Sequence, residues 1–93
     1  MAVAVVTLKI ALPGVSSLKG KRRLVKSLKD RLRNRFNVAV CEVDHQDVWQ
    51  TATLAVCTIS GDGAYAESTV AKVADYVRRD RTLSLTSYET EVF

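Results

Sequence analysis

Ninety-three residues, nearly half of them apolar and about a quarter charged, have ordinary globular composition: enough to close one core and too few for two. That balance excludes a disordered chain, and the longest apolar stretch, Val3 to Leu12, is interrupted by Thr7 and Lys9 and falls short of the roughly 20 residues that a bilayer requires. The net charge of +4 is unevenly spread, its excess lying in one short segment.

The elements follow from periodicity. Ala4, Val6, Leu8, Ile10 and Leu12 recur at every second position, the period of a half-buried strand. Pro13-Gly14 breaks the pattern, and Ser16 or Ser17 supplies a hydroxyl for the free backbone N–H groups of a following helix. From about Leu18 to Phe36, the residues Leu18, Val25, Leu28, Leu32 and Phe36 form one helical stripe with Leu24 on its flank, and Asn37 suits a left-handed cap. Val38 to Asp44 and Thr51 to Ser60 read as two strands of a hairpin. Gly61-Asp62-Gly63 punctuates, Asp62 caps a second helix to about Arg79 with the stripe Ala66, Val70, Val73 and Val77, and Leu83 to Phe93 forms a last strand.

The order β-α-β-β-α-β predicts an α+β fold, the ferredoxin-like split-βαβ plait. Its four-stranded antiparallel sheet has order 4-1-3-2, with both helices on one face. One domain spans residues 1–93. Without a basic region ahead of the first apolar stretch or a small-residue cleavage site, the chain is expected to stay cytoplasmic, with no membrane attachment. Cys41 and Cys57 lack the spacing of a zinc or redox pair and are expected as buried reduced thiols, a cross-strand disulfide being the alternative.

Charge carries the functional signal. Between Lys19 and Arg35 lie nine basic residues and one acid, Asp30, a local charge of +8; the remainder has five bases and nine acids, hence −4. At about 100° per residue, Lys19, Arg22, Arg23, Lys26, Lys29 and Arg33 share one side of the helix beside the apolar stripe, a ridge roughly 20 Å long that spans several phosphates. Like-charge pairs such as Arg22–Lys26 and Lys29–Arg33 each cost about 0.2–0.5 kcal/mol, a load that folding does not require. These residues with Lys21 are the candidate nucleic-acid contacts; the bland alternative is a solvated helix face.

Asp44-His45-Gln46-Asp47-Val48-Trp49-Gln50 holds the single histidine and the single tryptophan. One histidine with loop aspartates falls short of a zinc ligand set, so no metal is expected. The plain reading is a tied-down hairpin loop with Trp49 covering a core edge; the sharper one is a partner-binding loop of Asp44, His45, Gln46 and Asp47 anchored by Trp49. Catalytic signatures are missing: there is no phosphate-binding glycine loop, no nucleophile with a histidine partner and no carboxylate dyad, so neither an enzyme nor a cofactor is expected. The one chemical idea is an anion cradle in Pro13-Gly14-Val15-Ser16-Ser17 beside Lys19 and Lys21; acylphosphatases use the corresponding loop, but this one lacks their arginine pattern.

Three segments carry a resemblance: Ser17-Leu18-Lys19-Gly20-Lys21-Arg22-Arg23, the run Leu28 to Val38, and Glu42-Val43-Asp44-His45-Gln46-Asp47-Val48-Trp49-Gln50. Together they resemble the YlxP-like family of small bacterial proteins, domain-of-unknown-function family 503, over essentially the whole chain. The resemblance implies a ferredoxin-like fold and, because members are often encoded among transcription-elongation, ribosome-maturation and translation-initiation genes, an RNA- or ribosome-associated role. The family usually has glutamate where this chain has Gly20, which would close a capping box with Ser17, so a frayed or later helix start is expected here. The outward residues Val5, Thr7, Lys9, Thr53, Ala55 and Cys57 include no aromatic pair to stack bases, so RNA would run along the basic helix. The competing class is an interaction module or homodimer that uses the open sheet face.

Overall fold

Alternation in the first segment and helical spacing in the second produce the six elements of the computed structural model, which describes residues 1–43 and 48–93. They are β1 (Ala2–Ala11), α1 (Leu18–Arg35), β2 (Ala39–Val43), β3 (Thr51–Ser60), α2 (Gly63–Arg78) and β4 (Ser84–Val92), in a sheet of order β2-β3-β1-β4. All pairings are antiparallel, which makes this the expected plait. β1 and β3 pair without a break from Ala2 opposite Ser60 to Ala11 opposite Thr51. The β1–β4 register slips between Lys9 and Ile10, leaving Thr86 as the extra residue, whose hydroxyl donates to the Lys9 carbonyl at 3.0 Å.

One face of the sheet is core. Ala4, Val6, Leu8 and Ile10 of β1 and Ala52, Leu54 and Val56 of β3 are buried together with Val25, Leu28 and Leu32 of α1 and Ala66, Val70, Val73, Ala74 and Val77 of α2. Each large aliphatic side chain contributes about 1.5–3 kcal/mol by leaving water, so Leu28→Ala would cost about 2–5 kcal/mol. Leu18, Leu24 and Phe36 of the predicted stripe are half-buried.

The termini of α1 correct two expectations. The helix begins at Leu18 without delay, because the Ser17 hydroxyl accepts the Gly20 N–H at 3.0 Å, and that half of the box needs no side chain at position 20. It ends on extended Phe36, whose N–H donates to the Leu32 carbonyl at 2.9 Å, and not on Asn37. Asp62 caps α2 as expected, accepting the Ala64 N–H at 2.9 Å.

The opposite face is open and carries both cysteines, which corrects their predicted burial. Cys41 is exposed, Cys57 is half-buried, and neither is in a disulfide. Each sits at an outward position of its strand, where alternation turns away from the helices. On this face the backbone register brings Ile59, Val3 and Phe93 into one row, and Ala39, Cys57, Val5 and Glu91 into the next.

Candidate nucleic-acid interface

The ridge begins with an exception. Lys21 occupies the vacant step of the spacing 18, 21, 25, 28, 32 and points into the protein, where it is 1% exposed. Its Nζ lies 3.0 Å from Glu42 Oε2 on β2 and donates to the Val48 carbonyl. Lys21 is therefore not available to a phosphate, a correction of the predicted contact set. The signal was present in the sequence: a lysine on the heptad stripe, and a glutamate in phase with Val40 on the inward side of β2. Two charges facing each other from core positions mark a buried pair.

The other six ridge residues stay outside. Lys19, Arg22, Arg23, Lys26 and Arg33 are exposed and Lys29 is half-buried. Lys26 Nζ donates to Asp30 Oδ2 at 2.8 Å, and Arg33 Nη1 lies 3.7 Å from Asp30 Oδ1 while its Nη2 donates to the Val40 carbonyl at 2.9 Å. The Lys26 hydrogen bond above all, then the positive fields of Lys26, Arg33 and Lys29, hold the Asp30 carboxyl below its usual range against an opposing desolvation. Asp30 thus serves two cations at once. Among the described residues, Lys19, Arg22, Arg23 and Lys29 have no carboxylate partner. Arg22, Lys26, Lys29 and Arg33 line one shallow depression together with Val25, Asp30 and Glu42, so four cations and two carboxylates meet there and α1 is not an isolated convex rod.

Arg31 and Arg35, which the ridge excluded, turn the other way, toward α2. Arg31 Nη2 donates to Asp80 Oδ2 at 3.0 Å and Nη1 to the Tyr76 hydroxyl at 3.4 Å; Arg35 lies over the Tyr76 ring at 5.2 Å.

The remaining candidates do not converge with the ridge. In the first loop the Gly20 N–H is taken by Ser17, and the Val15 N–H donates to the Leu12 carbonyl at 3.1 Å. With Lys21 turned inward as well, three groups of the anticipated anion cradle are committed elsewhere. Asp44, His45, Gln46 and Asp47 lie outside the described residues. Trp49 is 46% exposed, so it stands half in solvent instead of sealing a core edge. Among the described residues no group of three or more His, Cys, Asp or Glu side chains could hold a metal ion, and no helix is long and apolar enough to cross a membrane.

Two comparisons bear on identity. The model of a family described as protein of unknown function, DUF503, matches residues 3–90. The uncharacterized protein YlxP of Bacillus subtilis (strain 168) is 30% identical over 77 residues, which cover 83% of this chain and 84% of the Bacillus protein.

Proposed function

The chain belongs to the DUF503 family, and we propose that within it this protein is a non-catalytic binding domain that holds RNA, free or in the ribosome, through the outer side of α1. The observation that supports this reading is the charge imbalance on one helix. Of the six cations on its outer side only Lys26 and Arg33 have a carboxylate partner, the one Asp30, among the described residues, and the core packing of the helix does not depend on them. Phosphate contacts of this kind position a nucleic acid without reading its sequence, so binding is tolerant of sequence and steeply sensitive to salt.

The test is fluorescence anisotropy with labelled ribosomal or transfer RNA across a salt series. If four ridge cations each neutralise one phosphate, the slope of log K against log salt is about −3 to −4. The combined variant Arg22→Glu, Lys26→Glu, Lys29→Glu, Arg33→Glu loses binding at about 0.1 M salt. Unchanged binding by that variant rejects the reading.

A second reading rests on the open sheet face. Ile59 and Phe93, 60% and 71% exposed, flank Val3 in one apolar row, the kind of surface that a second copy of the chain would cover. Sedimentation that detects only monomer at high protein concentration rejects it.

A further inference from the structure

On the side of α1 facing away from the ridge, a second cationic concavity lies between the C-terminal parts of α1 and α2. Arg35, Phe36, Lys72, Asp75, Tyr76 and Arg79 line it, three cations against one carboxylate, and a neighbouring depression shares Arg35, Tyr76 and Arg79 and reaches Arg31 and Asp80. Its floor is aromatic: Phe36 meets the Tyr76 ring edge-on, with centroids 5.9 Å apart and planes at 80°.

Of the two carboxylates nearby, Asp80 is engaged through both oxygens and Asp75, which is solvent-exposed, through one. Asp80 Oδ1 accepts the Thr82 N–H at 2.8 Å and the Thr82 hydroxyl at 2.6 Å, while Oδ2 takes Arg31. Asp75 Oδ1 accepts from Arg78, whose guanidinium also stacks on Tyr88. Among the described residues this leaves Arg35, Lys72 and Arg79 without an ion pair around one small hollow. Arg35 is held over Tyr76 by its face, which fixes the guanidinium and leaves its N–H donors free for an anion.

Favourable interaction with helix ends explains part of this arrangement. Arg35 closes α1 and Arg79 caps α2, where cations suit the macrodipole. Lys72, nearly two turns before that end, lies beyond the reach of the dipole. Helix ends alone also give no reason for cations of two different helices to meet over one aromatic pair.

We infer that this hollow is a binding site for a phosphate monoester, with the phosphate among Arg35, Lys72 and Arg79 and the organic part against Tyr76 and Phe36. Three donors of positive charge match a dianionic tetrahedral group better than the single charge of a backbone phosphodiester. The ridge and the hollow are about 180° apart around α1, so the two sites are separate, and this one does not depend on RNA binding by the ridge.

Nuclear magnetic resonance of the full chain at low salt tests the assignment, with backbone amides and arginine side-chain N–H groups followed against 5′-AMP, adenosine, and RNA oligomers bearing either a 5′-phosphate or a 5′-hydroxyl. Saturable shifts at Arg35, Lys72, Tyr76 and Arg79 with 5′-AMP, and none with adenosine, support the site. If the nucleotide saturates and the phosphorylated oligomer does not, the ligand is a small molecule; if only the phosphorylated oligomer does, it is an RNA end. The exposed substitutions Lys72→Gln and Arg79→Gln, singly, weaken binding about tenfold. The four-residue ridge reversal leaves it unchanged, so failure of the RNA reading and failure of this one are distinguishable. The inference is overturned if neither probe saturates, if adenosine shifts the same residues equally, or if both glutamine variants bind as the parent does.

Discussion

Replacing Glu42 by glutamine keeps the shape of the side chain and removes its charge, leaving the Lys21 ammonium, 1% exposed, without the carboxylate 3.0 Å away. Breaking a buried ion pair by neutralising one partner costs about 3–5 kcal/mol, because a desolvated charge loses its compensation. The lower end is an upper bound here, since Glu42 is 17% exposed and Lys21 keeps its other partners, the Val48 carbonyl among them. A loss of about 1–3 kcal/mol is a large part of the stability of a domain this small, and at about 4–8 °C per kcal/mol it lowers Tm by roughly 4–24 °C. Urea denaturation of the parent, Glu42→Gln, and the paired apolar replacement Lys21→Met with Glu42→Leu measures it. The double variant recovers part of the loss, since a well-packed apolar pair often equals a buried ionic one while the Val48 carbonyl and the pair's other partners lose their contacts. Because Lys21 faces inward, the double variant also binds RNA with an unaltered salt slope. A loss below about 1 kcal/mol for Glu42→Gln, the worth of an exposed pair, would refute the claim that Lys21 is a core residue.

Other outcomes follow from single contacts. Asp30→Asn releases Lys26 and Arg33 from their shared carboxylate, so RNA affinity rises and the salt slope steepens by about one unit; weaker binding would show that Asp30 orients those cations toward the ligand instead of masking them. Gly20→Ala raises stability by about 0.5–1 kcal/mol, since the new methyl meets Val15 Cγ1 at an ordinary 3.9 Å and the Ser17 hydroxyl at a tight 3.2 Å, and a lowered Tm would mean that the second contact breaks the cap. For Asp80, burial pushes the carboxyl up, but the Thr82 and Arg31 hydrogen bonds prevail and hold it below its ordinary value. A folded-state value below the unfolded one means that its stabilisation is present above about pH 4 and is lost as acid takes the pH down through the folded value. The stability gap between the parent and Asp80→Asn accordingly narrows on acidification, and a gap independent of pH contradicts that assignment.

Local chemistry made most of the topology readable. Alternation in β1, the Pro13-Gly14 break, the Ser17 and Asp62 caps and the small-residue stripe of α2 each act over a few neighbouring positions, and the chain order of the elements then admits few ways to pair the strands. The excess of charge on α1 is likewise a property of the chain itself, visible before any folding.

What those charges meet was decided elsewhere. Helical phase alone turns Lys21 inward and its neighbour Arg22 outward, but the carboxylate that meets the first belongs to Glu42, 21 positions away on β2. The same holds for Arg31 and Arg35, whose surroundings are made by Tyr76 and Asp80 on the far half of the chain, and for Cys41, whose outward position depends on the face that the helices cover. Residue type and periodicity set the elements because their energies are local; the environment of a side chain depends on partners that only chain closure brings within a few ångströms.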